Sequence, residues 1–402
     1  MEKRIRNLRL VGRDEVSLGE LIHQAVRRTI EQAVDEELRA TLGAAPYERH
    51  AERSGYRNGA KTRTLTGPTG PVELTLPRGR LATTDGATEE WRSTVVPRYQ
   101  RRMREVNEAV AGVYLSGGNT RRIRGALRPL LKNAPLSKSA VSRIVATLRG
   151  DWEAWSKQSL ADLNVVYLYL DAIALRVRAA GRVTGLPVLA GVAVLSDGSK
   201  RLVSLEVCGA ESGTAWEGFL QGLIDRGLKA PRLCIIDGNA GLHRAITLAW
   251  RTAKIQRCAV HKLRNILRKA PQHVHDEITD DYHLIVYASG LDAATVAHET
   301  FVKKWSKRCP GAVESLNEAG DELLTFYSFP KQQWKTIRTT NVIERINEEF
   351  RRRVKTQGSF PTESCALVLL HSLVASGQIN LRRLDGYEKI VDVIAREEDA
   401  AA

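Results

Sequence analysis

Residues 164–178 read NVVYLYLDAIALRVR, an aliphatic and aromatic run interrupted by one carboxylate, Asp171. This density of Val, Tyr, Leu and Ile is typical of a buried strand. Two similar stretches follow closely, GLPVLAGVAVLSDG at 185–198 and RLVSLEVCGA at 201–210. The pattern predicts three successive strands.

The hydrophobic period then changes from that of strands to that of helices. TAWEGFLQGLIDRGL at 214–228 has the apolar spacing of an amphipathic helix, PRLCIIDGNAGLHRAITLAW at 231–250 reads as strand, turn and helix, and KIQRCAV at 254–260 as a short strand. Three antiparallel-type strands, a helix and further strands describe a ribonuclease H-like mixed-sheet core. At 402 residues the chain is too long for one ordinary core, so we expect a multidomain α/β protein.

Two carboxylates occupy positions that this pattern predicts to be buried. Asp171 lies within the first strand, and Asp237 follows LCII at the end of the fourth. Burying a carboxylate costs roughly several kcal/mol unless it is paired or binds a metal. Pairs of divalent ions about 3.5–4 Å apart, held by hard oxygen ligands, serve phosphodiester cleavage. The sequence therefore predicts a carboxylate site for Mg²⁺ or Mn²⁺.

Glu344 is the best third ligand. It follows the polar residues TTN at 339–341 and opens a helix whose other face is apolar. Arg351 and Lys355 lie on nearly the same helical stripe as Glu344, where a DNA backbone is expected to approach the metals. Taken alone, the pattern of this helix favours a solvated amphipathic helix with i,i+4 ion pairs.

The positive charge is concentrated at the front of the chain. The net charge is +15, and residues 1–150 hold 28 Lys and Arg against 16 Asp and Glu, whereas residues 151–402 hold 33 against 30. Residues 101–150 alone hold 11 basic and 2 acidic side chains. Such clustering favours a nucleic-acid partner over a basic surface that only maintains solubility.

The first 150 residues are predicted to be mainly helical with one small β-hairpin. Residues 16–43 have the spacing of an amphipathic helix ending at Gly43, and residues 54–80 contain the turn signals Asn58-Gly59 and GPTG of a hairpin. The hairpin's arginines suit phosphate contact, although a solvated hairpin edge explains them nearly as well.

NTRRIRGALRPLLKN at 119–133 and LSKSAVSRIVATLRG at 136–150, joined around Ala134-Pro135, resemble a helix-turn-helix. The alternative is a plain helical bundle with a basic surface. The side chains expected to face a major groove are Ser139, Ser142 and Arg143, and those expected near phosphates are Arg121, Arg122 and Arg124.

Several classes of protein are disfavoured. The five cysteines are scattered without a CxxC pair, which indicates a reducing compartment rather than a disulfide framework. The N-terminus lacks the apolar stretch of a signal peptide, and the longest apolar run, VLAGVAVL at 188–195, is too short to span a bilayer. No GxxxxGK[ST] loop is present. We therefore expect a cytoplasmic protein without a membrane segment or a nucleotide cofactor.

Three downstream stretches resemble the catalytic signature of the Mutator-type bacterial transposases, the insertion-sequence 256 group. They are IIDGNAGL at 235–242, QRCAVHK at 256–262 and WKTIRTTNVIERINEEFRRRVKTQGSFP at 334–361. Upstream, SGYRNGAKTRTL, GPVELTLPRGR, GGNTRRIRGAL and LSKSAVSRI resemble the N-terminal region of that family. The resemblance covers roughly residues 15–385.

The resemblance implies a DDE transposase with a ribonuclease H-like core and Asp171, Asp237 and Glu344 as its triad. Its expected cofactors are two Mg²⁺ or Mn²⁺ ions per site, and its expected partners are the terminal inverted repeats and target DNA. Because two element ends must be brought together, we expect a homodimer or larger assembly, associated with the bacterial nucleoid. Cys258 and His261 match the family's C-x-x-H element. They are only half of a usual zinc ligand set, so we expect a local role beside the active site, with a packed Cys and a hydrogen-bonded His as the alternative.

The predicted organisation has six segments. They are an N-terminal helical segment (1–50), a basic β-hairpin region (51–100), a helix-turn-helix-like region (101–160), the first part of the core (161–261), a helical insertion (262–335) and the second part of the core with the C-terminal tail (336–402).

Three other functions compete with a transposase. Another ribonuclease H-like nuclease, such as a junction resolvase, does not need the long basic N-terminal third. A DNA-binding protein of transposase descent without cleavage activity is the main alternative, although all three carboxylates are present. Low aromatic content and strong basicity disfavour a glycoside hydrolase.

Overall fold

The computed structural model describes residues 17–48, 52–116, 123–132, 134, 136–179, 182–355 and 362–401. They divide into two compact units, Met1–Val145 and Ala146–Ala402. The six-segment division predicted from the sequence is finer than this split and stays a prediction.

The first unit begins with a helix and an antiparallel sheet. Its elements are α1 (Leu18–Leu42), β1 (Gly55–Gly67), β2 (Gly70–Ala82) and β3 (Thr88–Glu90). Ser17 and Glu20 form a capping box at the start of α1, and Gly43 ends it with a left-handed φ of 66°. Buried Val34 of α1 shares one apolar cluster with Leu74 of β2. The predicted helix and hairpin are both confirmed.

One turn signal was assigned wrongly. The hairpin turns at Gly67–Gly70, the GPTG sequence, whereas Asn58-Gly59 lies inside β1. The pairing register shifts between Arg57 and Ala60, and Gly59 has a φ of 72°. Asn-Gly therefore forms a β-bulge here, because its tolerance of positive φ suits a bulge as well as a turn.

A helical cluster completes the first unit. Its elements are α2 (Arg104–Leu115), α3 (Ile123–Ala126), α4 (Arg128–Leu131) and α5 (Lys138–Ser156), the last of which continues into the second unit. Of the segment predicted as the first helix of a helix-turn-helix (119–133), the described residues 123–132 form two single turns, α3 and α4. They share a buried apolar cluster with Val110 of α2 and Val141 of α5.

The second unit is built on a five-stranded mixed sheet. Its strands are β4 (Val165–Ala179), β5 (Arg182–Leu195), β6 (Lys200–Val207), β7 (Leu233–Ile236) and β8 (Lys254–Arg257), in the order β6-β5-β4-β7-β8. β6, β5 and β4 pair antiparallel, and β4, β7 and β8 pair parallel. The helices α6 (Gly213–Asp225) and α7 (Ala240–Ala249) contribute Trp216, Phe219 and Ile246 to the core of this sheet. The mixed α/β class predicted from the sequence is confirmed.

Residues 262–335, all of which are described, contain helices and no strand. The helices are α8 (Ala259–Arg268), α9 (His275–Val286), α10 (Leu291–Trp305), α11 (Pro310–Asn317) and α12 (Trp334–Ile337), with four short 3₁₀ helices between them. They have an apolar core of their own around Tyr282, Phe301 and Trp305. Buried Lys262 of α8 and Arg257 at the end of β8 both pair with Glu318.

Three helices end the chain: α13 (Asn341–Lys355), α14 (Glu363–Ala375) and α15 (Ile390–Ala401). α13 buries Ile343, Ile346 and Phe350. Within the described ranges, no helix has both the length and the apolarity needed to cross a membrane.

Candidate active site

Asp171 lies in the middle of β4, beside the strand that leads to Asp237. Tyr169 of β4 pairs with Ile235 of β7 in parallel register. Two residues further along each strand, this register leads to Asp171 and Asp237. The two carboxylates predicted from separate stretches of sequence are therefore neighbours at one end of the parallel pair.

The carboxylate of Asp171 resists ionisation. Its pKa is raised from 3.8 to about 7, first by burial and then by the charge of Asp237, with a smaller contribution from Glu344. Both of its oxygens accept hydrogen bonds, one from the Ala172 backbone N–H at 2.8 Å and the other from Asn347 Nδ2 at 2.8 Å. The charges of Asp237 and Glu344 thus add to burial in disfavouring the ionised form of Asp171, and the nearby His261 offsets them in part.

The backbone around Asp237 is held in an unusual conformation. Gly238 has a φ of 107°, and a Cβ added there would clash with the Arg257 guanidinium. Asp237 Oδ1 accepts a hydrogen bond from the Asn239 N–H at 3.0 Å, while Asn239 Oδ1 caps α7 through the Leu242 N–H. Glycine is required here both by the positive φ and by the close approach of Arg257.

Glu344 lies in the first turn of α13 beside two basic side chains. Its Oε1 is 3.1 Å from His261 Nε2 and 3.6 Å from Arg264. That oxygen is buried, yet it accepts no hydrogen bond of good geometry from the described residues. Glu344 thus carries an unsatisfied acceptor at the position where the sequence predicts a metal ligand.

Asn347 is a site residue that sequence reasoning missed. It lies one turn after Glu344, is only 3% exposed, and donates to Asp171 through Nδ2. Its Oδ1 is buried and has no hydrogen-bond partner in the described part of the chain. The i,i+3 spacing from Glu344 was the available signal, because it places both side chains on one helix face.

Cys258 and His261 connect the end of β8 to the start of α13. The Cys258 sulfur accepts hydrogen bonds from the Thr340 N–H at 3.3 Å and the Thr340 hydroxyl at 3.2 Å, and the same hydroxyl is 3.3 Å from His261 Nδ1. Thr340 O in turn accepts the Glu344 N–H. The C-x-x-H element therefore contacts the turn that begins the Glu344 helix.

The electrostatics of this pair are unusual for a cysteine and a histidine. Burial raises the pKa of the Cys258 thiol, but hydrogen bonds from His261 and Thr340 outweigh it and leave the pKa below its usual value. The pKa of His261 is raised, first by Cys258 and then, against partial burial, by the charges of Glu344 and Asp237. A positive imidazole is thereby favoured beside Glu344.

A fourth carboxylate, Glu211, lies near Asp237 and was also missed. Glu211 Oε1 accepts hydrogen bonds from Asn239 Nδ2 at 2.9 Å and Trp216 Nε1 at 3.3 Å. Partial burial and then the charge of Asp237 raise its pKa. Asn239 thus links Glu211 to Asp237, a connection that the loop sequence before α6 did not indicate.

The donor set fits a hard divalent cation by chemistry. It offers carboxylate oxygens from Asp171, Asp237 and Glu344, together with the unsatisfied Glu344 Oε1 and Asn347 Oδ1. No three His, Cys, Asp or Glu side chains among the described residues stand in an arrangement ready to hold an ion. In this structure Glu344 contacts His261 and Arg264 instead, so binding would require its carboxylate to turn.

The family is decided by comparison with known proteins. The model of the family "Transposase, Mutator family" matches residues 4–382. The chain belongs to the Mutator family of transposases. The membership accords with the resemblance found in the sequence, and transposases of this family act on DNA.

Three relatives illustrate how far the similarity of this Mutator-family chain extends. It is 34% identical to the transposase for insertion sequence element ISRM5 of Rhizobium meliloti, over 92% of this chain and 91% of that protein. It is 32% identical to the transposase for IS406 of Burkholderia multivorans, over 88% and 89%. The transposase for IS256 in transposon Tn4001 of Staphylococcus aureus is 28% identical over 90% and 91%.

The side chains predicted to contact DNA are only partly described. Arg121 and Arg122 lie outside the described residues, as does the side chain of Lys355. Ser139, Ser142 and Arg143 are exposed on the first two turns of α5, and Arg124 and Arg351 are exposed as well. Their roles in this Mutator-family transposase stay predictions.

Proposed function

We propose that this transposase catalyses metal-dependent cleavage and strand transfer of DNA at the terminal inverted repeats of an insertion sequence. Its metal ligands are Asp171 and Asp237 from a mixed sheet that we assign to the ribonuclease H-like class, and Glu344 from the helix α13. The observation that carries the proposal is the burial of Asp171 close to two further carboxylates: burial first, then the charge of Asp237 and more weakly that of Glu344, raise its pKa to about 7. The strand order, antiparallel for three strands and parallel for the next two, supports the assignment of the sheet.

The expected cofactors are two Mg²⁺ or Mn²⁺ ions. When bound, such ions activate the attacking hydroxyl and stabilise the charge that develops on the phosphate. Asp171 and Asp237 would hold them from the sheet, and Glu344 would complete the second position from α13. Asn347 orients Asp171 through its amide N–H and offers Oδ1 as a further oxygen.

Cys258 and His261 position the third carboxylate in this proposal. Cys258 fixes Thr340 at the start of α13, and His261 contacts the Glu344 carboxylate directly. Arg264 adds a second positive charge beside Glu344. These contacts hold Glu344 close to the other two carboxylates, which supports the local role expected from the sequence.

DNA recognition is assigned to the basic first unit. Ser139 and Ser142 on α5 are proposed to contact base edges in the major groove, which Arg143 of the same helix also faces, with Arg121, Arg122 and Arg124 at phosphates and with Arg351 and Lys355 beside the active site. Bringing two ends together implies a homodimer or larger assembly on DNA.

The proposal is tested by strand cleavage on labelled DNA that carries the element's two ends and their flanks, with Mg²⁺ or Mn²⁺. Wild type is compared with Asp237→Ala and Glu344→Gln. The matched controls are Asp225→Ala, at the exposed end of α6, and Glu348→Gln, exposed one turn after Glu344. We expect cuts at the element boundary that need the metal, disappear in both site variants and persist in both controls.

The alternative is a DNA-binding protein of transposase descent that does not cleave. Equal binding of wild type and Asp237→Ala to the element ends, with no metal-dependent cut by either, would establish that alternative.

A further inference from the structure

The first unit contains an arginine-lined cleft that the proposed chemistry does not use. It encloses about 850 Å³ and is lined by β1, the segment 98–102 and the first turns of α5. Its described lining includes Arg63, Arg98, Arg101, Arg102 and Arg143, and none of the lining residues that the structure describes is acidic.

The backbone of this cleft is fixed by the sheet. The Thr66 N–H donates to Arg101 O at 3.0 Å, and the Met103 N–H donates to Thr66 O at 2.9 Å, so residues 101–103 run beside the end of β1. The Arg63 guanidinium donates to the carbonyl oxygens of Val96, Pro97 and Gln100. Arg63 is thus a structural clamp, and Arg101 and Arg102 are presented on a rigid segment.

The remaining positive charges are poorly compensated. Within the described part of the chain, Arg101, Arg102 and Arg143 take part in no ion pair. Burial and then the charges of Arg143 and Arg101 lower the pKa of Arg102, so the Arg102 guanidinium is repelled by both of these neighbours. Arg102 Nε is held by Asn107 Oδ1 at 3.1 Å, which keeps it in place despite this repulsion.

We propose that this cleft grips the phosphodiester backbone of duplex DNA, with Arg101, Arg102 and Arg143 as its phosphate ligands. The guanidinium fork matches the geometry of phosphate oxygens. Because Arg143 belongs to α5, a phosphate held there would fix the orientation of the helix proposed to read base edges. The inference rests on the proposed function for the identity of the DNA. It adds a second DNA-contacting surface, built by residues 98–102, to the one proposed on α5.

The test is fluorescence anisotropy with a labelled duplex carrying one element end, without metal, over a series of salt concentrations. The cleft variant is Arg101→Gln/Arg143→Gln, in which both positions are exposed. The matched control is Arg27→Gln/Arg104→Gln, which removes the same amount of charge from two exposed arginines of the same unit. These arginines lie outside the cleft and pair with Glu31 and Glu108. Thermal unfolding of each variant verifies that the fold is retained.

The cleft variant is expected to lose two phosphate contacts. The slope of log affinity against log salt should become shallower by about 2, and affinity at low salt should fall on the order of 10²-fold. The control should stay within a few-fold of wild type. Arg101→Lys/Arg143→Lys keeps the charges and should recover most of the affinity.

Equal affinity and equal salt slope in the cleft and control variants would overturn the proposal. A second result would also overturn it: the cleft variant loses the binding of inorganic phosphate, measured by calorimetry, but binds DNA as tightly as wild type. The cleft would then be a site for small anions. If the wild-type protein binds DNA through the cleft but never cleaves it, the proposed chemistry is refuted and the proposal for the cleft is retained. Normal cleavage with unaltered binding by the cleft variant would refute the cleft alone.

Discussion

Replacing Asp171 with asparagine should stabilise the protein at neutral pH while abolishing DNA cleavage. The folded-state pKa of Asp171 is about 7, against an ordinary value of 3.8. Between these values the folded state binds more protons than the unfolded state, so the free energy of unfolding decreases as pH rises from about 4 to about 7. A group with this raised pKa therefore opposes folding once it ionises.

The magnitude follows from the size of the shift. A tenfold change in a proton-binding constant corresponds to about 1.36 kcal/mol, so raising the pKa of Asp171 from 3.8 to about 7 corresponds to about 4 kcal/mol. Asp171 is half-buried, and screening by water reduces this figure, so about 2–4 kcal/mol is expected above pH 7. Both hydrogen bonds of Asp171 can still form in Asp171→Asn. The buried Asn347 Oδ1 has no partner among the described residues, so a half-turn of the Asn347 amide lets this oxygen accept from the N–H of the new side chain.

The measurement is urea denaturation of wild type and Asp171→Asn at several pH values between 4 and 8, with the exposed Asp162→Asn as control. The stability difference between wild type and Asp171→Asn should be small near pH 4 and reach its maximum above pH 7. Added Mn²⁺ should raise the stability of wild type and have little effect on Asp171→Asn, since a ligand stabilises only the state that binds it. A variant that is less stable than wild type at pH 7, or a difference that does not change with pH, would refute the reasoning.

Three further substitutions test how the candidate site is supported. Gly238→Ala should abolish cleavage and lower stability by more than about 1 kcal/mol, because it combines a positive φ with a clash against Arg257; cleavage at the wild-type rate would show that the loop rearranges freely. Glu318→Ala should lower the free energy of unfolding, measured in denaturant titrations, by about 2–3 kcal/mol, because Lys262 is only 2% exposed and loses its charged partner. A decrease below about 0.5 kcal/mol would contradict a role for the ion pairs of Glu318 in holding α11. Asn239→Ala should cost about 1 kcal/mol through loss of the α7 cap and should reduce cleavage more than it reduces DNA binding, which parallel assays on the same end duplex would reveal.

Most of the strands and helices were predictable because their signals are local. The apolar run before Asp171, the LCII stretch before Asp237 and the amphipathic period of α6 each indicate an element within a window of a few residues. Asn58-Gly59 was assigned wrongly because the same residue pair suits a turn and a bulge, and only pairing with β2 distinguishes them.

The surroundings of the carboxylates were less predictable than the carboxylates themselves. A charge that follows an apolar run is conspicuous in a sequence, whereas Asn347 stands among the charged residues of an amphipathic helix and Glu211 in the short loop before α6. Asn347 contacts Asp171 across 176 residues of chain, and Thr340 contacts Cys258 across 82. Neither contact leaves a periodic signal, because it depends on where α13 packs against the sheet.

The sequence by itself determined the mixed α/β class, the three carboxylates that are candidates for the chemistry, the basic front of the chain and its resemblance to the Mutator family. Each of these depends on residue type and spacing along the chain. Only the tertiary structure decided which charges meet. The register of β4 and β7 brings Asp171 beside Asp237, the start of α13 brings Glu344 to His261, and the pairing of residues 101–103 with β1 brings Arg101 and Arg102 to Arg143. The physical reason is that the energy of interaction between two charges decreases with their distance in space and does not depend on how many residues separate them along the chain.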